Sequence, residues 1–206
     1  MVLTYDLFMA TTPNKLPTRK SQQTYERIIE AAIDCFFESG YQASNMSKIA
    51  ARAEVSRGRV QYYFATTEQL LIDAANALLM RLWGRYLGDL LFNPDVSGDD
   101  AFDRFMQLRE DRDHIVWMEL VAASRTDPVL RRVVERAQKE LDRHALNAQN
   151  RMIGTGEGGQ ERARAVSDLV RLLLEALTLT PMAEDREARI AAVLGLVKGM
   201  LRGVWV

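Results

Sequence analysis

Residues Gly40–Leu71 read GYQASNMSKIAARAEVSRGRVQYYFATTEQLL, and the reading of this stretch decides the fold. It holds two short helical segments, about Met46–Ala53 and Arg57–Phe64, joined by Glu54-Val55-Ser56. Ser44 or Asn45 is suited to cap the first and Ser56 the second, because a short side-chain oxygen accepts from the free N–H groups of a first helical turn. Ile49, Ala50, Val55 and Val60 are the apolar residues that wedge the pair together, and Ala50 and Ala53 are small where two backbones must approach. A helix-turn-helix requires such a pair: one helix braces across a duplex backbone and the next enters the major groove.

The second of these segments is heavily armed for its length. Arg57, Arg59, Gln61, Tyr62 and Tyr63 surround a single inward Val60, with Phe64 packed inward after them. A guanidinium matches two acceptors on guanine, and a glutamine amide matches the donor and acceptor of adenine. Gly58 presents no side chain, so the backbone there can approach a duplex closely. Tyrosine hydroxyls suit phosphate oxygens. The bland alternative is a solvated basic helix with its aromatics turned inward.

Together with the preceding Thr24–Ser39, residues 40–71 resemble the DNA-binding head of the TetR family of transcriptional regulators. Ile49-Ala50, Val55-Ser56, Gly58, Tyr62 and Phe64 carry the resemblance as a set. It implies an all-helical homodimer whose three-helix heads bind a palindromic double-stranded DNA operator and whose larger C-terminal body holds a small-molecule effector. By that resemblance Arg57, Arg59 and Gln61 fall where base edges are read, and Lys48, Tyr62 and Tyr63 where phosphates are held. Ser47, Ser56, Gly58 and Thr67 complete the expected DNA-contacting set. Thr67 stands where the family commonly has lysine, which weakens one expected phosphate contact. Asn45 stands where threonine is more usual, and asparagine caps a helix equally well.

N-terminal to this core, residues 1–18 carry two prolines and no helical period, and read as a flexible arm. Arg19 and Lys20 at its end are placed either to lie along phosphates or to be solvated. A first helix follows, about Ser21–Ser39, with Tyr25, Ile28, Ile29, Ala32 and Phe36 on one stripe and Gly40 as its stop. C-terminal to the core, helices are expected over about Thr67–Leu91 with Thr66 as cap, Asp99–Arg109, Asp113–Ser124, Asp127-Pro128 to before Gly154, Glu161–Thr180 and Asp185–Val204. Asn93-Pro94-Asp95-Val96-Ser97-Gly98 breaks the pattern, and no segment alternates with the period of a strand. The expectation is an all-α chain of about nine helices. It comprises an arm (1–18), a helix-turn-helix DNA-binding domain (19–65) and a helical effector-binding and dimerisation domain (66–206).

Trp83, Tyr86, Phe102, Phe105, Met106, Trp117 and Met118 lie on the middle helices, where the family places its effector pocket. An apolar lining of this kind favours a lipophilic or aromatic effector. His114, Arg109, Arg112 and Glu119 are available as polar contacts. The last helix offers a different signal, because Ala191, Gly195, Gly199 and Gly203 recur every four residues. Each interior glycine costs about 1 kcal/mol against alanine, so a stripe of them implies a close backbone partner. With Val166, Leu169, Val170, Leu173 and Leu177 of the preceding helix, the stripe is the expected dimer interface, a four-helix bundle. The alternative is packing against the chain's own body.

The totals narrow the rivals of this reading, although the net charge taken alone argues against a nucleic-acid binder. The net charge is −1, with 27 basic and 28 acidic residues among 206, and 48% of residues are hydrophobic. A small basic excess in residues 1–65 fits a DNA-binding head on an acidic body. The single cysteine, Cys35, lies in an apolar run and reads as a core residue of a reducing compartment. No apolar run reaches the length of a membrane span, and Met1–Ala10 lacks the basic start of a signal peptide, so the expected location is cytoplasmic. His114, His144 and Cys35 lack metal-ligand spacing, so neither a metal nor a cofactor is expected. Gly154–Gly159 matches G-x-G-x-x-G, but it joins two helices rather than a strand and a helix, and reads as a linker. An all-helical enzyme has no convergent acid, base or nucleophile set to support it. The expected function is a ligand-responsive repressor. The rival is a helix-turn-helix regulator whose body binds a protein partner and no small molecule.

Overall fold

The structure, a computed structural model, describes residues 18–82, 84–85, 97–152, 159–180 and 185–202. Residues 1–17 of the expected arm, Trp83, Tyr86, Asn93-Pro94-Asp95-Val96, Gly154–Gly158 and Gly203 therefore lie outside the described residues, as does the side chain of His144. Nine α-helices and no strand occur among the described residues. They are α1 (Arg19–Ser39), α2 (Met46–Arg52), α3 (Arg57–Tyr63), α4 (Thr67–Leu82), α5 (Gly98–Gln107), α6 (Arg112–Ala123), α7 (Pro128–Met152), α8 (Gly159–Leu179) and α9 (Arg186–Leu201). A 3₁₀ turn, Leu108–Glu110, follows α5 and takes up the end of the helix expected to reach Arg109.

Two compact units divide the chain. One consists of the segments up to Met80 and Glu119–Gln138, the other of Arg81–Met118 and the segment from Lys139 onward.

In the first unit, α1 begins two residues earlier than its apolar stripe suggests, because the Thr18 hydroxyl accepts from the backbone N–H of Ser21 at 3.2 Å. Tyr25, Ile28, Ile29, Ala32 and Phe36 are all buried, as the i, i+3, i+4 spacing requires. Gly40 closes the helix at φ +76°, its N–H donating to Phe36 O at 3.0 Å. A Cβ there would stand 3.0 Å from Glu119 Oε1 on α6, so backbone conformation and space both call for glycine.

The two short helices are capped from within the chain. Asn45 Oδ1 accepts from Ser47 N and Lys48 N at 3.0 and 3.1 Å, and Ser56 Oγ accepts from Arg59 N at 3.1 Å. Thr66 Oγ1 accepts from Gln69 N and opens α4. The turn between α2 and α3 is closed by Glu54 N–H donating to Ala51 O and Val55 N–H donating to Ala50 O. It passes through Glu54 at φ +53°, a region disfavoured for residues with a Cβ. α3 stops at Tyr63, one residue short of expectation. Phe64 turns to extended backbone, and its ring stacks on Tyr25 with centroids 5.2 Å apart, without solvent exposure. Burying a ring of this size contributes roughly 1.5–3 kcal/mol, which outweighs one further helical residue.

The second unit has its own core, including Phe102, Met106, Leu108, Val116, Trp117, Met118, Leu174, Leu177, Ile190 and Leu201. Two polar residues are buried within it. Asp113, 2% exposed, accepts from Arg85 Nη2 at 2.6 Å and lies 3.5 Å from Arg81 Nε. His114 Nε2 lies 3.2 Å from the Thr178 hydroxyl, which itself donates to Leu174 O. The ring nitrogen is therefore the donor. Desolvation lowers the His114 pKa to about 4, against a weaker opposing pull from Asp111. Among the described residues, no helix is long and apolar enough to cross a membrane.

Candidate nucleic-acid interface

α3 is two turns long, and its inward and outward residues separate cleanly. Val60, Tyr63 and the following Phe64 face the core, while Arg57, Gly58, Arg59, Gln61 and Tyr62 are exposed. Helix geometry places successive residues about 100° apart, so a helix of seven residues seated on Val60 and Tyr63 turns the rest outward. α2 and the turn hold it in place: Ile49, Ala50 and Ala53 are buried. A Cβ at Gly58 would meet nothing within 4 Å. Among the described residues, no packing requires glycine there.

The cations near this face are in different states. Arg57 and Arg59 are exposed. Arg59 lies with its Cζ 5.2 Å from the Tyr62 ring centroid and 5.0 Å from that of Tyr63, and Nη2 donates to the Tyr63 hydroxyl at 3.0 Å. Lys48 is exposed at the start of α2, its ammonium donating to Ala43 O at 2.7 Å. Arg52 is committed elsewhere. It donates to Asp34 at 2.9 Å and, with both Nη atoms, to Glu38 at 2.6 and 2.7 Å, tying α2 to α1. Its position beside the head's basic residues in sequence therefore overstates the positive charge free for a ligand.

The two tyrosines part company. Tyr62 is 67% exposed, beside Arg59. Tyr63 is buried, edge-on to Tyr25 at 6.3 Å, with its hydroxyl 3.0 Å from Ser21 Oγ. The resemblance places both on the phosphate-facing side. The structure turns Tyr63 inward because it falls three residues after Val60, on the same helical face. Ser47, Ser56 and Thr67 are exposed.

Two polar links that the sequence pattern did not single out support the head from behind. The Tyr25 hydroxyl donates to Asp73 at 2.7 Å, joining α1 to α4. Tyr41 donates from its backbone N–H to Glu119 Oε1 at 2.8 Å and from its hydroxyl to Asp127 Oδ2 at 2.7 Å. The signal for the first was legible as a lone acid in the apolar run Leu70-Leu71-Ile72-Asp73-Ala74-Ala75.

A family model described as bacterial regulatory proteins, TetR family, matches residues 28–75, which hold most of α1, all of α2 and α3, and the first turns of α4. Those residues are a TetR-family DNA-binding region. Over 203 residues the chain is 24% identical to the HTH-type transcriptional repressor AcnR of Corynebacterium glutamicum, a match covering 94% of the chain and 98% of AcnR. It is 39% identical over 55 residues to the fatty acid metabolism regulator protein of Bacillus subtilis. That match spans only 27% of the chain and 28% of the relative. The fold is shared with a transcriptional regulator from Rhodococcus sp. Rha1, at a TM-score of 0.66 and 24% identity, covering 88% of this chain and 98% of that one. The exposed face of α3 lies within the region that the family model matches and is the candidate DNA-reading surface.

The remaining expected sites belong to the body. Phe102, Met106, Trp117 and Met118 are buried and Phe105 is half-buried. On α8, Leu177 is buried, Val166, Val170 and Leu173 are half-buried, and Leu169 is 46% exposed. On α9, Ala191, Gly195 and Gly199 are exposed, and a Cβ at either glycine would meet nothing within 4 Å.

Proposed function

We propose that the protein is a repressor that binds a palindromic operator as a homodimer and leaves it when a small lipophilic or aromatic effector occupies the body. The observation that carries the DNA half of this reading is the outward set Arg57, Arg59, Gln61 and Tyr62 on a helix whose Val60 and Tyr63 face inward. Arg57, Arg59 and Gln61 read base edges, and Tyr62, Lys48, Ser47 and Thr67 hold phosphates. The phosphate contacts set register, and the base contacts set sequence preference.

The homodimer reading is supported by the outer faces of α8 and α9. Leu169, Leu172, Val193, Leu196 and Met200 are between 41% and 67% exposed, and Gly195 and Gly199 stand in open space among them. Apolar side chains around bare backbone suit close helix packing across a twofold axis. The effector half is supported by the buried Phe102, Met106, Trp117 and Met118, and by the name of the Bacillus subtilis relative as a fatty acid metabolism regulator. An effector acts by favouring a dimer state whose two heads cannot span both half-sites.

Selection of bound duplexes from a random pool tests the DNA reading, with an inverted repeat expected and an unstructured or absent consensus overturning it. A thermal-shift series against apolar and aromatic compounds tests the effector reading, since a bound effector raises the melting temperature. No shift with any class of compound, alongside a normal consensus, favours a body that answers to a protein partner.

A further inference from the structure

We infer that Tyr63, although buried, is a positioning residue for sequence discrimination, setting the orientation of the Arg59 guanidinium before DNA arrives. The inference rests on the reading of α3 as the DNA-contacting helix. An exposed arginine ordinarily samples many rotamers, and ordering it on a base edge opposes binding. The Arg59 side chain meets both neighbouring tyrosines, on a backbone fixed by a cap. Its backbone N–H is held by the Ser56 cap at 3.1 Å. The Tyr62 and Tyr63 rings stand at right angles, with centroids 5.3 Å apart, and its Cζ lies about equally far from both. Its Nη2 donates to the Tyr63 hydroxyl.

That hydroxyl is itself fixed. It is 3.0 Å from Ser21 Oγ near the start of α1, and its ring meets the edge of Tyr25, whose own hydroxyl is tied to Asp73. Because the Tyr63 oxygen accepts from Arg59, its single hydrogen is free to go to Ser21. The orientation of Arg59 is thereby referred to the rigid α1–α4 frame and not to solvent. The contact uses one of the five N–H donors of a guanidinium, so enough remain to bond O6 and N7 of a guanine in parallel. Tyr63 never touches the duplex in this scheme. It acts through Arg59, and Ser21 acts through Tyr63.

The test compares Tyr63→Phe with the parent chain on two probes: the duplex selected from the random pool and a random-sequence duplex of equal length. Phenylalanine keeps the buried ring and removes only the hydroxyl. The expected result is a roughly three- to ten-fold weaker affinity for the selected duplex, on the scale of one ordered side chain. Affinity for the random duplex, the melting temperature and the salt dependence are expected to stay unchanged. A lost contact between the hydroxyl and a phosphate would instead weaken both duplexes alike.

A mutant cycle completes the test. In an Arg59→Ala background, Tyr63→Phe is expected to have no further effect. In an Arg57→Ala background its full loss is expected to persist. Equal weakening on both duplexes, or the same loss with alanine at position 59, overturns the positioning role. Failure of the parent chain to enrich any sequence overturns the DNA reading of α3 on which it rests.

Discussion

The Tyr25 hydroxyl donates to Asp73 Oδ2 across 2.7 Å, and both residues are buried, at 6% and 8% exposure. Gln69 donates to the other carboxylate oxygen at 2.9 Å. A buried carboxylate is costly unless its oxygens are satisfied, and here two donors satisfy it while linking α1 to α4 behind the DNA-reading helix. Burial raises the Asp73 pKa above its ordinary value, and the two hydrogen bonds pull it back only in part.

Asp73→Ala leaves the Tyr25 hydroxyl buried without its acceptor and is expected to lower stability by about 1–3 kcal/mol. Asp73→Asn keeps an acceptor and is expected to cost less than about 1 kcal/mol. The pH dependence separates the two causes. A raised carboxyl pKa gives stability that is present below the ordinary carboxylate range and is lost as pH rises through the folded-state value. Asp73→Asn therefore gains on the parent chain as pH rises from 3 toward 7. Urea melts at several pH values check this, and an Asn variant that loses ground as pH rises would refute it.

His114 titrates with the opposite sense. Its folded pKa of about 4 lies below the ordinary histidine value, so the unfolded chain binds the extra proton first. The stability it contributes is complete above about pH 6.5 and is lost as pH falls toward 4, by roughly 2–3 kcal/mol. His114→Gln, unable to titrate, is expected to flatten that acid limb in chemical denaturation. An unchanged slope would show that other groups control it.

Gly58→Ala sets folding against function. No atom within 4 Å opposes the added methyl, and alanine favours helix by about 1 kcal/mol, so the melting temperature is expected to rise. The same methyl projects from the exposed face of α3, where a duplex backbone would approach, and affinity for DNA is expected to fall. A variant that is more stable and binds equally well would remove Gly58 from the interface.

Gly199→Leu addresses the dimer. Among the described residues nothing lies within 4 Å of a Cβ there, so the chain is expected to fold as before. If another subunit packs there, the added bulk shifts the protein toward monomer. Sedimentation velocity reads this directly, and an undisturbed dimer of normal stability would place the interface elsewhere.

Tyr62→Phe removes a hydroxyl from a ring that is 67% exposed. As a phosphate ligand, Tyr62 is expected to matter equally for every duplex, so selected and random DNA weaken together, by several-fold. A loss confined to the selected duplex would make it a base reader.

Much of this architecture was written in local chemistry. The helix-turn-helix was legible because caps, apolar wedge and turn are determined by residues close in sequence: Asn45, Ser56 and Thr66 cap as their side chains dictate, and Ile49, Ala50 and Val60 bury as their spacing dictates. The stripe on α1 was equally plain. The expected end of the helix that begins at Thr67 falls on residues outside those described. Helix ends near large aromatic residues were harder, as Phe64 shows, because tertiary burial can take precedence over one more helical hydrogen bond.

The amino-acid order alone determined that this chain is helical, where its head lies and which short helix carries the armed face, since those properties follow from period and capping within a few residues. Only the tertiary structure decided which of the adjacent Tyr62 and Tyr63 faces solvent, that Arg52 is occupied by Asp34 and Glu38, and that Asp73 and His114 are buried. Tyrosine and arginine carry an apolar stem and a polar tip, so either orientation satisfies their own chemistry. The choice belongs to partners from 14 to 64 residues away along the chain, which no local pattern can name.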